Sequence, residues 1–217
     1  MTLDLFQDCD LPSPGREELA PGAILLRGFA RRRAEGLVAA IEEIAARTPF
    51  RHMQTPGGQH MSAAMTNCGP FGWISDRRGY RYEPSDPDTG APWPPMPGIF
   101  LDLAADAAAD AGFPGFLPDA CLINRYEPGT RMSLHQDRDE QDLTAPIVSV
   151  SLGLPAIFLF GGLKRSDPSD RIALVHGDVV VWGGPSRLRF HGILPIREGT
   201  HALLGRQRIN LTFRKAA

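Results

Sequence analysis

The sequence predicts a β-rich α+β fold: a double-stranded β-helix, or jelly-roll, core with flanking N-terminal helices and a lid. Three observations carry this. From Ala120 onward, short apolar or alternating runs follow one another, separated by Gly and Pro. The 23 Gly and 20 Pro supply turns for many short elements, which suits strands better than a helical bundle. Only two stretches show a helical stripe, and both precede residue 120.

In order along the chain, residues 1–21 read as a loosely attached leader, with five acids and one Arg in the first twenty positions. Residues 22–119 hold the N-terminal helices and the lid, and 120–217 the core, the two forming one structural unit. Ala23–Leu26 reads as a short strand. Ala34–Arg47 is a helix, because Leu37, Val38, Ile41, Ile44 and Ala45 share one stripe. Residues 48–96 are rich in Gly, Pro and aromatics, as befits a segment that covers a site. Pro97–Ala111 is a second, alanine-rich helix, opened by proline and stopped by Gly112. Strands are then expected at 120–126, 147–154, 156–160, 171–175, 179–182, 188–194 and 206–213. There is no internal repeat.

Composition narrows the function classes. An apolar content of 42% can build a sizeable core. Cys9, Cys68 and Cys121 are scattered, which fits reduced thiols in a cytosol and not structural zinc. Asp4, Asp8 and Asp10 replace the basic start and apolar run of a signal peptide, so a cytoplasmic protein is expected. No apolar stretch approaches the ~20 residues of a membrane span. A net charge of -2 argues against a general polyanion binder. Residues 157–217, however, carry ten Lys/Arg against four acids, and Lys164, Arg165, Arg187 and Arg189 are candidates for a modest phosphate-facing patch, although a solvated face explains them equally well.

Chemistry concentrates in the core. His135 and Asp137 are two apart, so on extended backbone both side chains point the same way. His191, in a later segment, can close the site from a neighbouring strand. Two imidazoles and one carboxylate on one face of an ion suit ferrous iron with open positions. A rival pair, His176-Gly177-Asp178, reads better as hairpin chemistry between two apolar strands. His52, His60 and His201 lie in loop-like sequence and are expected in solvent. In the last strand Arg208, Asn210, Thr212 and Arg214 alternate with Ile209, Leu211 and Phe213. That polar face is either ordinary and solvated or an anion cradle, since a guanidinium holds a carboxylate with two parallel hydrogen bonds. Asn124 and Tyr126 share one face of another strand and can donate to a bound acid; the bland reading has Tyr126 filling the core.

With these motifs in hand, the chain resembles the AlkB-type alkylated-DNA dioxygenases. The resemblance rests on Asn124-Arg125-Tyr126, His135-Gln136-Asp137, His191 and Arg208-x-Asn210-x-Thr212-Phe213-Arg214, and runs from about Ile24 to Arg214. It takes in Thr55-Pro56-Gly57-Gly58, Ala64 to Gly69, Pro146 to Pro155 and His176 to Gly184. Gln59 departs from it, where an aromatic residue is expected, and Ile209 stands where tyrosine is expected.

The resemblance implies Fe(II) held by His135, Asp137 and His191, with 2-oxoglutarate and O2 as co-substrates. Arg208 would pair with the distal carboxylate of 2-oxoglutarate, with Asn124 and Tyr126 donating further bonds. Arg214, helped by Asn210, would hold the carboxylate nearer the metal. It implies oxidative demethylation of N1-methyladenine and N3-methylcytosine in single- or double-stranded DNA, with RNA as a further partner, releasing formaldehyde and succinate. The lid then becomes a nucleotide-recognition lid. Trp73 is the candidate for stacking on a flipped base, whose extrusion costs a few kcal/mol. Asp139 would favour a cationic base, Tyr80, Arg81 and Tyr82 would meet the backbone, Arg165 would touch the nucleotide from the opposite rim, and Met65 and Gln136 would line the pocket. A monomer away from membranes is expected. Two alternatives stay open: an iron and 2-oxoglutarate oxygenase acting on RNA, protein or a small molecule, and a non-catalytic jelly-roll metal-binding module.

Overall fold

A computed structural model describes residues 13–217. Its centre is a seven-stranded antiparallel sheet. From one edge to the other it runs β1 (Gly15–Ala20), β2 (Ala23–Arg27), β11 (Val179–Trp182), β8 (Ile147–Gly153), β13 (Arg208–Arg214), β6 (Ala120–Tyr126) and β3 (Ala64–Cys68). A four-stranded sheet, β10 (Asp170–Leu174), β9 (Ala156–Phe160), β12 (His191–Ile193) and β7 (Met132–His135), packs over one face. The hairpin β4 (Gly72–Asp76) and β5 (Gly79–Glu83) stands apart as a third, two-stranded sheet. This is a β-rich architecture of antiparallel sheets, consistent with a jelly roll.

The period of two along each strand sorts side chains into two cores. Ile24, Ile123, Val148, Val150, Val181, Ile209, Leu211 and Phe213 face helices α1 (Ala34–Arg47) and α2 (Gly98–Asp110). Leu25, Leu122, Tyr126, Ile147, Val180 and Trp182 face the small sheet, where they meet Phe158, Phe160 and Ile193. Helix α1 buries Leu37, Val38, Ile41 and Ile44 and ends where the Thr48 N–H bonds the Ile44 carbonyl. Helix α2 starts at extended Pro97, which needs no N–H there, and stops at Gly112, whose φ of 96° is open to glycine. Its alanines let it lie close, so that Phe100 meets Phe213 edge-on with ring centroids 5.7 Å apart.

Several expectations need correction. Of the leader expected over 1–21, residues 1–12 lie outside the described ones, and Gly15–Ala20 pairs with β2 as an edge strand. Residues 48–96 are not one covering segment: β3 joins the large sheet beside β6, and only the β4–β5 hairpin stands apart. The strand expected at 188–194 shrinks to His191–Ile193, because a 3-10 turn at Gly184–Ser186 and an Arg189 N–H to Ser186 carbonyl bond curl the chain before it. Strand β13 begins at Arg208, after Gln207 has crossed Gly153; the Gln207 carbonyl fills the place a Cβ on Gly153 would need. Among the described residues, no helix is long and apolar enough to cross a membrane, and Cys68 and Cys121 are buried and unbridged.

Candidate metal centre and anion cradle

Strands β7 and β12 pair so that His135 and His191 are direct partners, with ring centroids 4.4 Å apart. Each imidazole donates from Nδ1 to a backbone carbonyl two residues back, His135 to Ser133 at 2.9 Å and His191 to Arg189 at 3.0 Å. That bond fixes the tautomer and leaves both Nε2 lone pairs free for a metal. Asp137, just past β7, brings Oδ1 to 3.7 Å from His135 Nε2 and Oδ2 to 3.6 Å from His191 Nε2. All candidate ligand atoms of the three lie within 4.8 Å of one another. Burial and the neighbouring His191 ring push the His135 imidazole down to about 4, so it is neutral and able to ligate at physiological pH. Burial alone would raise the Asp137 carboxyl, yet the Arg214 guanidinium and the two imidazoles hold it well below the usual carboxylate range. Two imidazoles and a carboxylate are the donor set that ferrous iron takes, and the geometry fits it.

The large sheet supplies the second half of the site. Register places Arg208 opposite Tyr126, and Asn210 between Asn124 and Ser151. Arg208 is only 1% exposed, and its Nη2 donates to Ser151 Oγ at 2.9 Å. Among the described residues its Nε and Nη1 have no partner. Burial of this charge lowers its pKa, with the facing Tyr126 opposing the shift. A buried guanidinium with unspent donors costs several kcal/mol unless an anion completes it. That orphaned fork fits a carboxylate of 2-oxoglutarate. Tyr126 is buried, with its hydroxyl pushed up by burial, and so stays a neutral donor. The Asn124 Oδ1 is likewise unpartnered, and its Nδ2 reaches Asn210 Oδ1 only at 3.5 Å. Asn210 donates to Ser149 Oγ and to the Val150 carbonyl. Arg214 grips Asp137 Oδ2 through Nη2 at 2.9 Å and Nε at 3.2 Å, which puts the second arginine beside the triad. The polar face of β13 therefore points inward, and the solvated alternative does not hold.

Of the residues expected to meet a nucleotide, Trp73 and Asp139 are joined: indole Nε1 donates to Asp139 Oδ2 at 2.9 Å. Tyr80 stacks on Trp73, centroids 5.5 Å apart and planes 12° from parallel. Tyr82, the register partner of Trp73, donates its hydroxyl to Glu140 Oε1 at 2.6 Å. Met65 is buried opposite Asn124. Arg165 donates to the Leu134 carbonyl at 2.7 Å, next to His135. Gln136 turns to the Leu188 carbonyl. Arg81 is not brought to the site, because it alternates away from Tyr80 and Tyr82 and pairs with Asp76 and Glu83. Nor does Arg187 join a surface patch: it is 3% exposed and spends its guanidinium inside the protein. Arg189 bonds the Gly161 carbonyl over the Phe160 ring.

The rival His176 and Asp178 do not form a metal pair. Asp178 is fully buried and accepts from Gly28 N–H, Val175 N–H and Arg27, capping its turn. His176 accepts from the Gly153 N–H and packs against His201, which is therefore half-buried and not in solvent; His52 and His60 are exposed as expected. Sequence reasoning missed Glu140, Ser149 and Ser151. The serines had a signal, two hydroxyls on one face of an otherwise apolar strand. Glu140 had only its closeness to Asp137.

The comparisons with known proteins agree with this geometry. Residues 22–214 match the family described as the 2OG-Fe(II) oxygenase superfamily. The chain is 60% identical over 214 residues to "Alpha-ketoglutarate-dependent dioxygenase AlkB" of Escherichia coli (strain K12), covering 99% of this chain and 98% of that protein. It is 48% identical over 181 residues to "Alpha-ketoglutarate-dependent dioxygenase AlkB homolog" of Caulobacter vibrioides (strain NA1000 / CB15N), covering 83% of this chain and 80% of that one. The solved structure described as "The structure of OsALKBH1" superposes with a TM-score of 0.81 at 29% identity, covering 93% of this chain and all of that one. The His-Asp-His cluster suits the iron on which this family depends, and the chain belongs to the AlkB family of the 2OG-Fe(II) oxygenase superfamily.

Proposed function

We propose that this protein removes alkyl groups oxidatively from ring nitrogens of nucleic-acid bases, with N1-methyladenine and N3-methylcytosine in DNA as its substrates. The observation that carries the substrate class is the Trp73–Asp139 hydrogen bond: a flat aromatic platform holds a carboxylate two residues from Asp137. Methylation at these nitrogens makes the base both flat and positively charged, so stacking and charge select it together. Such a base cannot pair normally, which lowers the cost of leaving the stack. The β4–β5 hairpin is read as the nucleotide-recognition lid over the core. Arg165 and Tyr80 are read as its contacts to the nucleotide.

His135, Asp137 and His191 would hold the iron on one face. Arg208 would take the distal carboxylate of 2-oxoglutarate with Nε and Nη1, the donors that lack a partner, while Tyr126 and Asn124 flank it. Arg214 and Asn210 would steady the end nearer the metal. When bound, the iron supplies oxidation of the N-methyl C–H bond by O2, with 2-oxoglutarate leaving as succinate and carbon dioxide. The hydroxylated methyl carbon then parts from nitrogen as formaldehyde, leaving the base restored. Asp137, His191 and Arg208 are buried, whereas the His135 side chain is partly open to solvent.

The test is mass spectrometry of oligomers carrying N1-methyladenine or N3-methylcytosine, as single-stranded DNA, duplex DNA and RNA, incubated with Fe(II), 2-oxoglutarate and O2. Restoration of the unmodified DNA base is expected. An intact lesion with 2-oxoglutarate consumed on another substrate would contradict the reading, and restoration on RNA alone would move the substrate to RNA.

A further inference from the structure

We propose that Arg187 is a positioning residue for the metal site, whose one guanidinium closes the irregular segment that carries Asp137. Residues 136–146 join β7 to β8 without helix or strand, so no ladder of backbone bonds fixes Asp137. Arg187 replaces it. Its Nη1 donates to the Asp137 carbonyl at 2.7 Å, Nη2 to Glu140 Oε2 at 3.0 Å, and Nε to the Ala145 carbonyl at 3.0 Å. One planar fork thereby ties both ends and the middle of the segment together, a geometry lysine cannot copy. Arg187 and Glu140 are both buried, so the pair is rigid and unscreened.

The same guanidinium joins the two ligand-bearing arms. Arg187 stands four positions before His191, and its neighbour Leu188 accepts a bond from Gln136, beside Asp137. The turn before it is anchored in turn, Ser186 Oγ donating to the Pro21 carbonyl at 2.8 Å. Glu140 extends the effect outward, since its other oxygen accepts the Tyr82 hydroxyl and lies 3.4 Å from Arg214 Nε. Loosening Arg187 would thus free Asp137 along with Asp139 and the hairpin that bears Trp73. The expected consequence is weaker metal binding, of the size seen when groups that orient ligands are removed, ~10–100-fold.

This inference rests on the reading of Asp137 as a ligand, and the variants separate the two. The measurement is Co(II) titration of the metal-free protein without 2-oxoglutarate, followed by quenching of tryptophan fluorescence and by the Co(II) visible absorption bands. Trp182 lies 4.9 Å from the His191 ring and is placed to report. Arg187→Lys should weaken Co(II) binding at least about tenfold and shift the bands. The double variant Arg187→Met/Glu140→Gln leaves no buried charge unpaired, so it should melt near the parent temperature and yet bind Co(II) as weakly. A merely structural role would leave the bands of these folded variants unchanged. Weakened binding in Asp137→Ala together with parental affinity, within about threefold, in both Arg187 variants would overturn the inference alone. Parental affinity in Asp137→Ala would overturn the ligand reading and this inference with it.

Discussion

Arg214 donates two hydrogen bonds to a single oxygen of Asp137, at 2.9 and 3.2 Å, and so joins the last strand of the large sheet to the metal triad held by the small one. Arg208, six residues earlier on the same strand, has two donors with no partner among the described residues. The two arginines of one ladder therefore stand in opposite energetic positions.

That contrast gives the first prediction. Arg208→Met removes an uncompensated buried charge and should leave the metal-free protein as stable as the parent or more so. Arg214→Met takes the guanidinium from the buried Asp137 carboxylate and should cost ~3–5 kcal/mol. Both should weaken 2-oxoglutarate binding by about two to three decades. Thermal melting and calorimetric titration check the two halves separately. Equal destabilisation by both, with 2-oxoglutarate affinity unchanged, would mean the cradle holds no ligand.

Substitution of His135, Asp137 or His191 by Ala should abolish turnover and weaken Fe(II) binding while the fold survives. The two cores are built from apolar strands and helices and do not depend on an ion. Circular dichroism and anaerobic metal titration check this.

Asp178→Ala should do the reverse. It leaves the Gly28 and Val175 N–H groups and Arg27 without their shared acceptor, a loss of about 2–4 kcal/mol in stability. Metal affinity should not change. Retained stability with lost metal binding would put the metal at the His176–Asp178 turn.

Asp139 separates selection by charge from selection by shape. Asp139→Asn keeps an acceptor for the Trp73 indole, which Asp139→Ala would remove together with the charge. The carboxylate is exposed, so its pull on a cationic base is expected at about 1 kcal/mol after screening. Single-turnover repair of N1-methyladenine and N3-methylcytosine should slow roughly fivefold, with a neutral lesion such as N3-methylthymine affected less. Equal losses on both kinds of lesion would make Asp139 a support for Trp73 alone.

Strand period made much of this legible before any coordinates. The alternation of Arg208, Asn210, Thr212 and Arg214 with Ile209, Leu211 and Phe213 fixes a two-faced strand, and the structure puts the polar face inward. Helix α1 has the expected bounds and buries the expected stripe except Ala45, adding Ala34 and Ala40. What stayed hidden lacks a period. Glu140 sits in the irregular 136–146 segment and Arg187 follows a 3-10 turn, so no local rule gave their direction, and Arg187 read as a surface charge. Strand β3 was concealed for another reason: its partner β6 is more than fifty residues away, and a non-local pairing leaves no mark in a local window.

The most direct measurement is an anaerobic titration of the protein with Fe(II) and 2-oxoglutarate, followed by the metal-to-ligand absorption band that forms only when the acid chelates the iron. A band should appear in the parent protein only when both are present, vanish in His191→Ala, and require far more 2-oxoglutarate in Arg208→Met. No band in the parent, or an undiminished one in both variants, would contradict the assignment of this inner face as one iron and 2-oxoglutarate site.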